Sequence, residues 1–249
     1  MIHYHGTPVS GTKQDAARFL VGRHALVSFV HQQNLPEVLE YCQSFVLDNG
    51  AFSHWKAGKG EINFADFCSW VSQFARHPNF DWCLIPDKID GTEQENRDLV
   101  NRWLDSGIEA KGVPVWHMHE SLEYLGDLIH EFDVVAFGSS GTWSMPNTQG
   151  WWGRMSEAMR VACDESGRPR AKLHGLRMLN PDVFTRLPLS SADSTNATMN
   201  AGNVSGFGMY PAPTAGVRAG VIADRIEQHN SAPVWVGAEQ IDLFMEGAA

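Results

Sequence analysis

The chain has 249 residues, with 19 Lys and Arg against 29 Asp and Glu, for a formal charge of −10. Hydrophobic residues at 43% and charged ones at 19% exclude a disordered tail protein, and the longest apolar runs fall short of the roughly 18 residues that a membrane span needs. The acidic balance argues against a broad, non-specific grip on nucleic acid but leaves room for a local basic patch.

Met1–Ser10 is polar and rich in His, without the basic start and apolar core of a secretory signal, and Met1–Gly11 reads as a loop. The first apolar runs are Ala25–Val30 and Ser44–Leu47. A helix is expected over Phe64–Arg76, where Phe64, Phe67, Cys68, Val71 and Phe74 recur at helical spacing. The run Trp82–Ile85 follows, then a helix over Glu93–Ser106 carrying Leu99, Val100, Trp103 and Leu104. Val113–Trp116, a helix Leu122–Glu131, Val134–Phe137, a helix Trp152–Cys163, Ala171–Leu173 and Leu187–Ser190 continue the alternation, and Pro233–Val236 is a candidate eighth strand. Short β-branched or aromatic runs alternating with helices imply a buried parallel sheet. The expected fold is therefore α/β: a single (β/α)₈ TIM-type barrel over residues 1–249, irregular towards its C-terminal end. An open doubly wound sheet is the rival, and the absence of G-x-G-x-x-G and G-x-x-x-x-G-K-[ST] lowers its standing. Asn196–Gly220, rich in Gly, Ala, Asn, Ser and Pro, reads as one long functional loop, a substrate lid or a dimer contact. Cys42, Cys68, Cys83 and Cys163 are widely spaced and form no C-x-x-C pair, as expected of reduced thiols in a cytoplasmic protein.

What ends each strand is the functional signal. Ser44–Leu47 runs into Asp48-Asn49-Gly50, Trp82–Ile85 into Pro86-Asp87, and Val113–Trp116 into His117-Met118-His119-Glu120. Val134–Phe137 ends in Gly138-Ser139-Ser140-Gly141, Ala171–Leu173 in His174-Gly175, and Leu187–Ser190 runs on to Asp193. In a barrel these ends converge on the face that carries active sites. Three chemistries suit such a rim. Cleavage of a glycosidic bond needs one carboxylate at the anomeric carbon and a second group to manage the proton, roles that Asp193 and Asp48 could fill while Asp87 reads the base. Metal-assisted hydrolysis could draw on His3-x-His5 and His117-x-His119, although the first pair precedes the first convincing strand. A barrel that only binds a ligand is the third.

The run Leu47-Asp48-Asn49-Gly50-Ala51-Phe52 resembles the D-S-G-[GA]-F motif of the tRNA-guanine transglycosylase superfamily, and Pro86-Asp87, Gly138–Gly141, His174-Gly175-Leu176 and Asp193 follow in that family's order. More closely, His5–Pro8, Leu47–Ser53, Pro86-Asp87, Val113–His117, the Gly-Ser-Ser-Gly turn and Ser191–Asn196 are similar to a compact phage and bacterial group, over roughly residues 3 to 200. The resemblance implies a barrel acting on the N-glycosidic bond of a nucleotide, with Asp193 as nucleophile, Asp48 as general acid/base, Asp87 reading the base and Gly138 lying beside it. Departures bear on the substrate. The three-Cys, one-His zinc site of the tRNA enzymes has no counterpart, the family's guanine-reading Gln falls at about His117, and Lys88 and Ile89 stand where a Cys follows the base-reading Asp. These tilt the expectation to a DNA glycosylase that excises a modified base and leaves an abasic site, an activity suited to phage–host conflict. Exchange of a guanine-type base for a 7-deazaguanine in DNA or tRNA is the alternative, and a metal-dependent barrel hydrolase the second. No cofactor is expected. The partner is DNA, with the base flipped out or already single-stranded. His117, His174, Ser139, Ser140, Phe52 and Trp116 complete the expected base site, with Trp143 a further stacking candidate. Lys56, Lys59, Arg154, Lys172 and Arg177 are expected on the nucleic-acid backbone.

Overall fold

The computed structural model describes residues 1–209 and 211–237. Among them nine strands occur: β1 (Ile2–Gly6), β2 (His24–Ser28), β3 (Ser44–Asp48), β4 (Phe80–Leu84), β5 (Gly112–Val113), β6 (Val115–His117), β7 (Val134–Gly138), β8 (Lys172–Gly175) and β9 (Ser191–Ser194). Their order is β5-β4-β3-β2-β1-β9-β8-β7-β6, with every pairing parallel. β5 and β6 are two halves of one extended segment, broken where Pro114 lacks an N–H. The first half pairs with β4 and the second with β7. Through that segment the ring closes on eight staves, and the fold is a (β/α)₈ barrel of the TIM type.

Between the strands lie α1 (Lys13–Leu20), α2 (Leu35–Tyr41), α3 (Ala51–Lys56), α4 (Phe64–Ser72), α5 (Glu93–Asp105), α6 (Leu122–Glu131), α7 (Gln149–Ala162), α8 (Pro181–Phe184), α9 (Asn196–Asn200) and α10 (Ala215–Glu227). Their starts are written in side chains. Thr12 and Thr92 form capping boxes with Asp15 and Glu95, and Asn63, Ser121, Thr148 and Thr214 cap α4, α6, α7 and α10.

Strand parity sorts the core into layers. Tyr4, Leu26, Val46, Trp82, Leu84, Val113, Val115, Val134 and Ala136 fill the barrel interior. The alternate residues Ala25, Val27, Phe45, Leu47 and Cys83 face one half of the helical shell, and Val135, Phe137, Leu173 and Ala192 face the other. The same parity points Ser28, Asp48, His117, Gly138, His174 and Asp193 inward at the C-terminal mouth.

Four expectations are corrected. Met1–Gly11 is not a loop, because Ile2–Gly6 forms β1 at the centre of the sheet order. Its polar look comes from His3 and His5, which face outward: His5 Nε2 lies 2.8 Å from Glu227 Oε1 on α10, and His3 Nε2 lies 3.0 Å from the His229 carbonyl. The last strand is Ser191–Ser194 rather than Leu187–Ser190, whose Leu187 and Leu189 instead pack in the outer core around Pro188. Pro233–Val236 is not a strand. Trp235 N–H donates to the Gly167 carbonyl at 2.7 Å, tying this segment to the α7–β8 connection. Asn196–Gly220 is not one structureless loop but holds α9, a 3₁₀ turn at Val204–Phe207 and the start of α10. It is stitched to the barrel where Thr198 Oγ1 donates to the Gly6 carbonyl at 2.7 Å. Cys42, Cys68, Cys83 and Cys163 are free thiols, and three of them are buried. Among the described residues no helix is long and apolar enough to cross a membrane.

Candidate active site

Asp48, Asp87 and Asp193 meet at the C-terminal mouth of the barrel. Asp48 ends β3 opposite Ser28 of β2. The chain then turns sharply through Gly50. Its φ is +82°, and a Cβ placed there would stand 3.0 Å from the Val30 methyls, so both conformation and space call for glycine. Burial pushes the Asp48 carboxyl up to about 7, and the charges of Asp193 and Asp87 add to the shift, while the Gly50 N–H and the Ser28 hydroxyl oppose it. Asp48 retains some surface at the mouth. Burial and neighbouring acids together drive Asp48 towards its neutral form.

Asp193 is held differently. Its Oδ1 accepts the Arg177 backbone N–H at 3.1 Å and lies 3.2 Å from His174 Nε2. His174 is itself fixed, with Nδ1 2.8 Å from Ser191 Oγ and its ring edge-on to Trp82 at 4.8 Å. Arg177 reaches this position through a left-handed backbone conformation, φ +58°, which is uncommon for a residue with a Cβ. Asp193 Oδ2 has no hydrogen-bond partner among the described residues.

Asp87, after β4, accepts the Asn49 Nδ2 hydrogen at 2.7 Å on one oxygen, and its other oxygen lies 2.7 Å from His117 Nε2. Burial pulls the His117 pKa down, but the hydrogen bond and charge of Asp87 more than offset this, so the imidazole sits above its ordinary value. His117 and Asp87 thus form a buried, hydrogen-bonded pair. Glu120 supports it by accepting the His117 backbone N–H at 2.7 Å. A cavity of about 240 Å³ adjoins Asp87 and Asn49, with Lys88 and Arg102 in its wall.

The remaining expected residues separate into groups. Gly138 lies opposite His117 in register and close against its ring. Ser140 Oγ lies 2.8 Å from His119 Nδ1, while Ser139 Oγ accepts the Trp151 indole N–H at 2.9 Å, so both hydroxyls brace the turn. Phe52, on α3 just beyond Asp48, lies under the Arg177 guanidinium at 4.2 Å. Trp116 is not on the rim. It is wholly buried in the outer core against Phe137, because it alternates with the inward-facing Val115 and His117. Trp143 is half-buried on the loop after β7, 5.2 Å beneath Arg154. Lys56 and Lys59 are exposed at and beyond the end of α3. Arg154 is committed to the protein, donating to the Met118 carbonyl and to Glu157. Lys172 begins β8 and therefore lies at the opposite end of the barrel from the carboxylates, together with Arg168 and Arg170. The structure thus brings Arg177 to the mouth, leaves Lys56 and Lys59 exposed at and beyond the end of α3, and puts the dense basic stretch around Lys172 elsewhere. Asn49 and Ser28 are contributors that sequence reasoning placed no chemistry on. Their signal was position alone: one follows Asp48, and the other ends the neighbouring strand.

For metal chemistry the donor set is unfavourable. Among the described residues no three His, Cys, Asp or Glu side chains converge as a metal-holding group. Both ring nitrogens of His119 are engaged, by Ser140 and by the Gly91 carbonyl.

No family model matches the chain, and no curated protein matches it in sequence. Among solved structures the barrel is similar to a protein from Coccidioides immitis described as a fructose-1,6-biphosphate aldolase. The TM-score is 0.53 at 10% identity, over 92% of this chain and 90% of that one. A likeness at that identity defines the fold class and carries no chemistry with it.

Proposed function

We propose that the chain is a DNA glycosylase that hydrolyses the N-glycosidic bond of a modified base and leaves an abasic site. One observation carries this reading: three carboxyls converge at one mouth, where Asp48 is raised by burial, Asp87 is hydrogen-bonded to Asn49 and His117, and Asp193 keeps one oxygen without a partner among the described residues. A carboxyl raised by burial beside a second carboxyl suits general acid and nucleophile roles. The resemblance of the Asp48, Asp87 and Asp193 segments to the transglycosylase superfamily supports the same bond.

In this mechanism Asp87 and His117 hold the edge of the extruded base, each Asp87 oxygen keeping a second lone pair for it. Asp48 donates its proton to the departing base nitrogen as the C1′–N bond breaks. Asp193 Oδ2 faces C1′ and either bonds to it or stabilises the oxocarbenium-like charge. The ionised Asp48 then takes a proton from water, whose oxygen adds to C1′ and, where Asp193 has bonded there, breaks the C1′–Oδ2 bond and releases the Asp193 carboxylate. The outer surface of α3 suits a single strand or a flipped nucleotide, because Phe52, the exposed Trp55 and Lys56 place rings beside a cation.

The test is base release. Purified protein is incubated with ordinary DNA, hypermodified phage DNA and tRNA, and freed bases are identified by mass spectrometry. Release from DNA without an added acceptor, with abasic sites formed, is the expected result. Release that depends on free 7-deazaguanine would replace hydrolysis by exchange. Metal-dependent activity without any base release would overturn the glycosidic reading.

A further inference from the structure

Arg177 and Phe52 come from opposite sides of the barrel. Phe52 follows β3 and Arg177 follows β8, and four steps round the ring separate these strands in either direction. Their contact at 4.2 Å therefore spans the mouth in which Asp48 and Asp193 stand. The Arg177 backbone is fixed through its N–H to Asp193 Oδ1. Its side chain is exposed and makes no hydrogen bond or ion pair among the described residues. An exposed, unpaired guanidinium that rests only on a ring is weakly held. A cation–π contact at an exposed site is weaker than a bidentate guanidinium–phosphate pair.

We propose that Arg177 is the phosphodiester receptor of this site, and that its contact with Phe52 is the resting state of a clasp across the barrel mouth. When a strand binds, the guanidinium leaves the ring for the phosphate beside the extruded nucleoside. The face of Phe52 that it uncovers then takes a base by stacking. The exchange swaps one cation contact for another, so a stacking surface becomes available only when a phosphate has arrived. This couples backbone recognition to base capture, and the fixed Arg177 N–H keeps Asp193 oriented throughout. The inference rests on the nucleic-acid reading above.

The experiment measures binding of a fluorescein-labelled single-stranded oligodeoxynucleotide by anisotropy over a series of NaCl concentrations. Arg177→Gln removes one phosphate contact, and the slope of log Kobs against log[NaCl] should become shallower by about 0.7. Arg177→Lys keeps the charge and should keep the slope, a distinction that a purely structural role of the backbone would not produce. Phe52→Leu should leave the slope unchanged and weaken binding by about 5- to 150-fold, the worth of one base stack. Wild-type binding with an unaltered slope in Arg177→Gln would overturn the clasp and leave the glycosylase reading standing. Failure of the wild type to bind the oligonucleotide at about 50 mM NaCl would overturn both.

Discussion

Replacing Asp48 by Asn should remove the activity and stabilise the protein, and the gain should grow with pH. The carboxyl rises from its ordinary value of 3.8 to about 7 in the folded chain. A carboxyl with a raised folded value binds more protons folded than unfolded between those two pH values, so stability falls as pH rises through that window. Below about pH 4 both states are protonated and nothing is lost. Above about pH 7 both are ionised and the full cost is present. At about 1.36 kcal/mol per pH unit, that cost is about 4 kcal/mol. Because part of the carboxyl opens to the mouth, solvent screens it, and about 2 to 4 kcal/mol is expected. Asparagine is nearly isosteric with the neutral acid and does not titrate. The assay is urea unfolding of both proteins, followed by Trp fluorescence, from about pH 4 to pH 8. Subtracting one curve from the other cancels the groups common to both. The difference should be small at the acidic end, rise through the window in favour of Asp48→Asn, and level off above about pH 7. A difference independent of pH would refute the reasoning, since it would mean that burial does not hold the proton on Asp48.

Three further outcomes follow from the same geometry. Asp193→Ala should lower base release by about three orders of magnitude or more with the fold intact by circular dichroism, and wild-type rates in the purified variant would remove Asp193 from the mechanism. Asp87→Asn should drop the His117 pKa, read from the imidazole proton resonances in NMR. His117 contributes stability below its ordinary value of 6.5 that is lost as pH rises through its raised folded value, and this contribution should vanish in the variant. Gly138→Ala would bring a Cβ to 3.1 Å from His117 Nδ1 and 3.2 Å from Val115 Cγ1. It should destabilise the protein by about 1 to 3 kcal/mol and disturb the same NMR signals, whereas full stability would show that the strands yield at no cost.

Fold class is legible because strand and helix alternate with the right lengths, and the helical pattern over Leu122–Glu131 matches α6 to the residue. The displaced strands show where periodicity fails. β1 is hidden because an outward face made of His3 and His5 looks like a loop until α10 supplies Glu227 as a partner. β9 is displaced because Leu187 and Leu189 are as apolar as a strand, yet serve the outer core. At the site, the three aspartates can be found because each follows a strand, while Trp116 is misplaced by one residue of parity. Val113, Val115 and His117 alternate inward, so the intervening Trp116 must point away. Lys172 is misassigned for a related reason. Charge density along the chain says nothing about which end of the barrel a connection occupies, and the α7–β8 connection lies at the N-terminal end.

In the sequence only the resemblance divides the roles among Asp48, Asp87 and Asp193, since all three share the pattern of an acid at a strand end. Their partners separate them. Asp193 takes a backbone N–H and faces His174 on a single oxygen. Asp87 is matched by a histidine whose proton it helps to hold. Asp48 stands near the Gly50 N–H and the Ser28 hydroxyl, which favour its charged form, but burial and two neighbouring acids outweigh them. Burial and neighbouring acids raise the Asp48 carboxyl towards neutrality, and the proposed proton donation to a departing base uses that property. On the proposed mechanism, the roles of Asp48 and Asp193 cannot be exchanged without rebuilding the surroundings of each. Grafting a donor beside Asp48 should lower its pKa and weaken it as an acid even though every carboxylate remains in place.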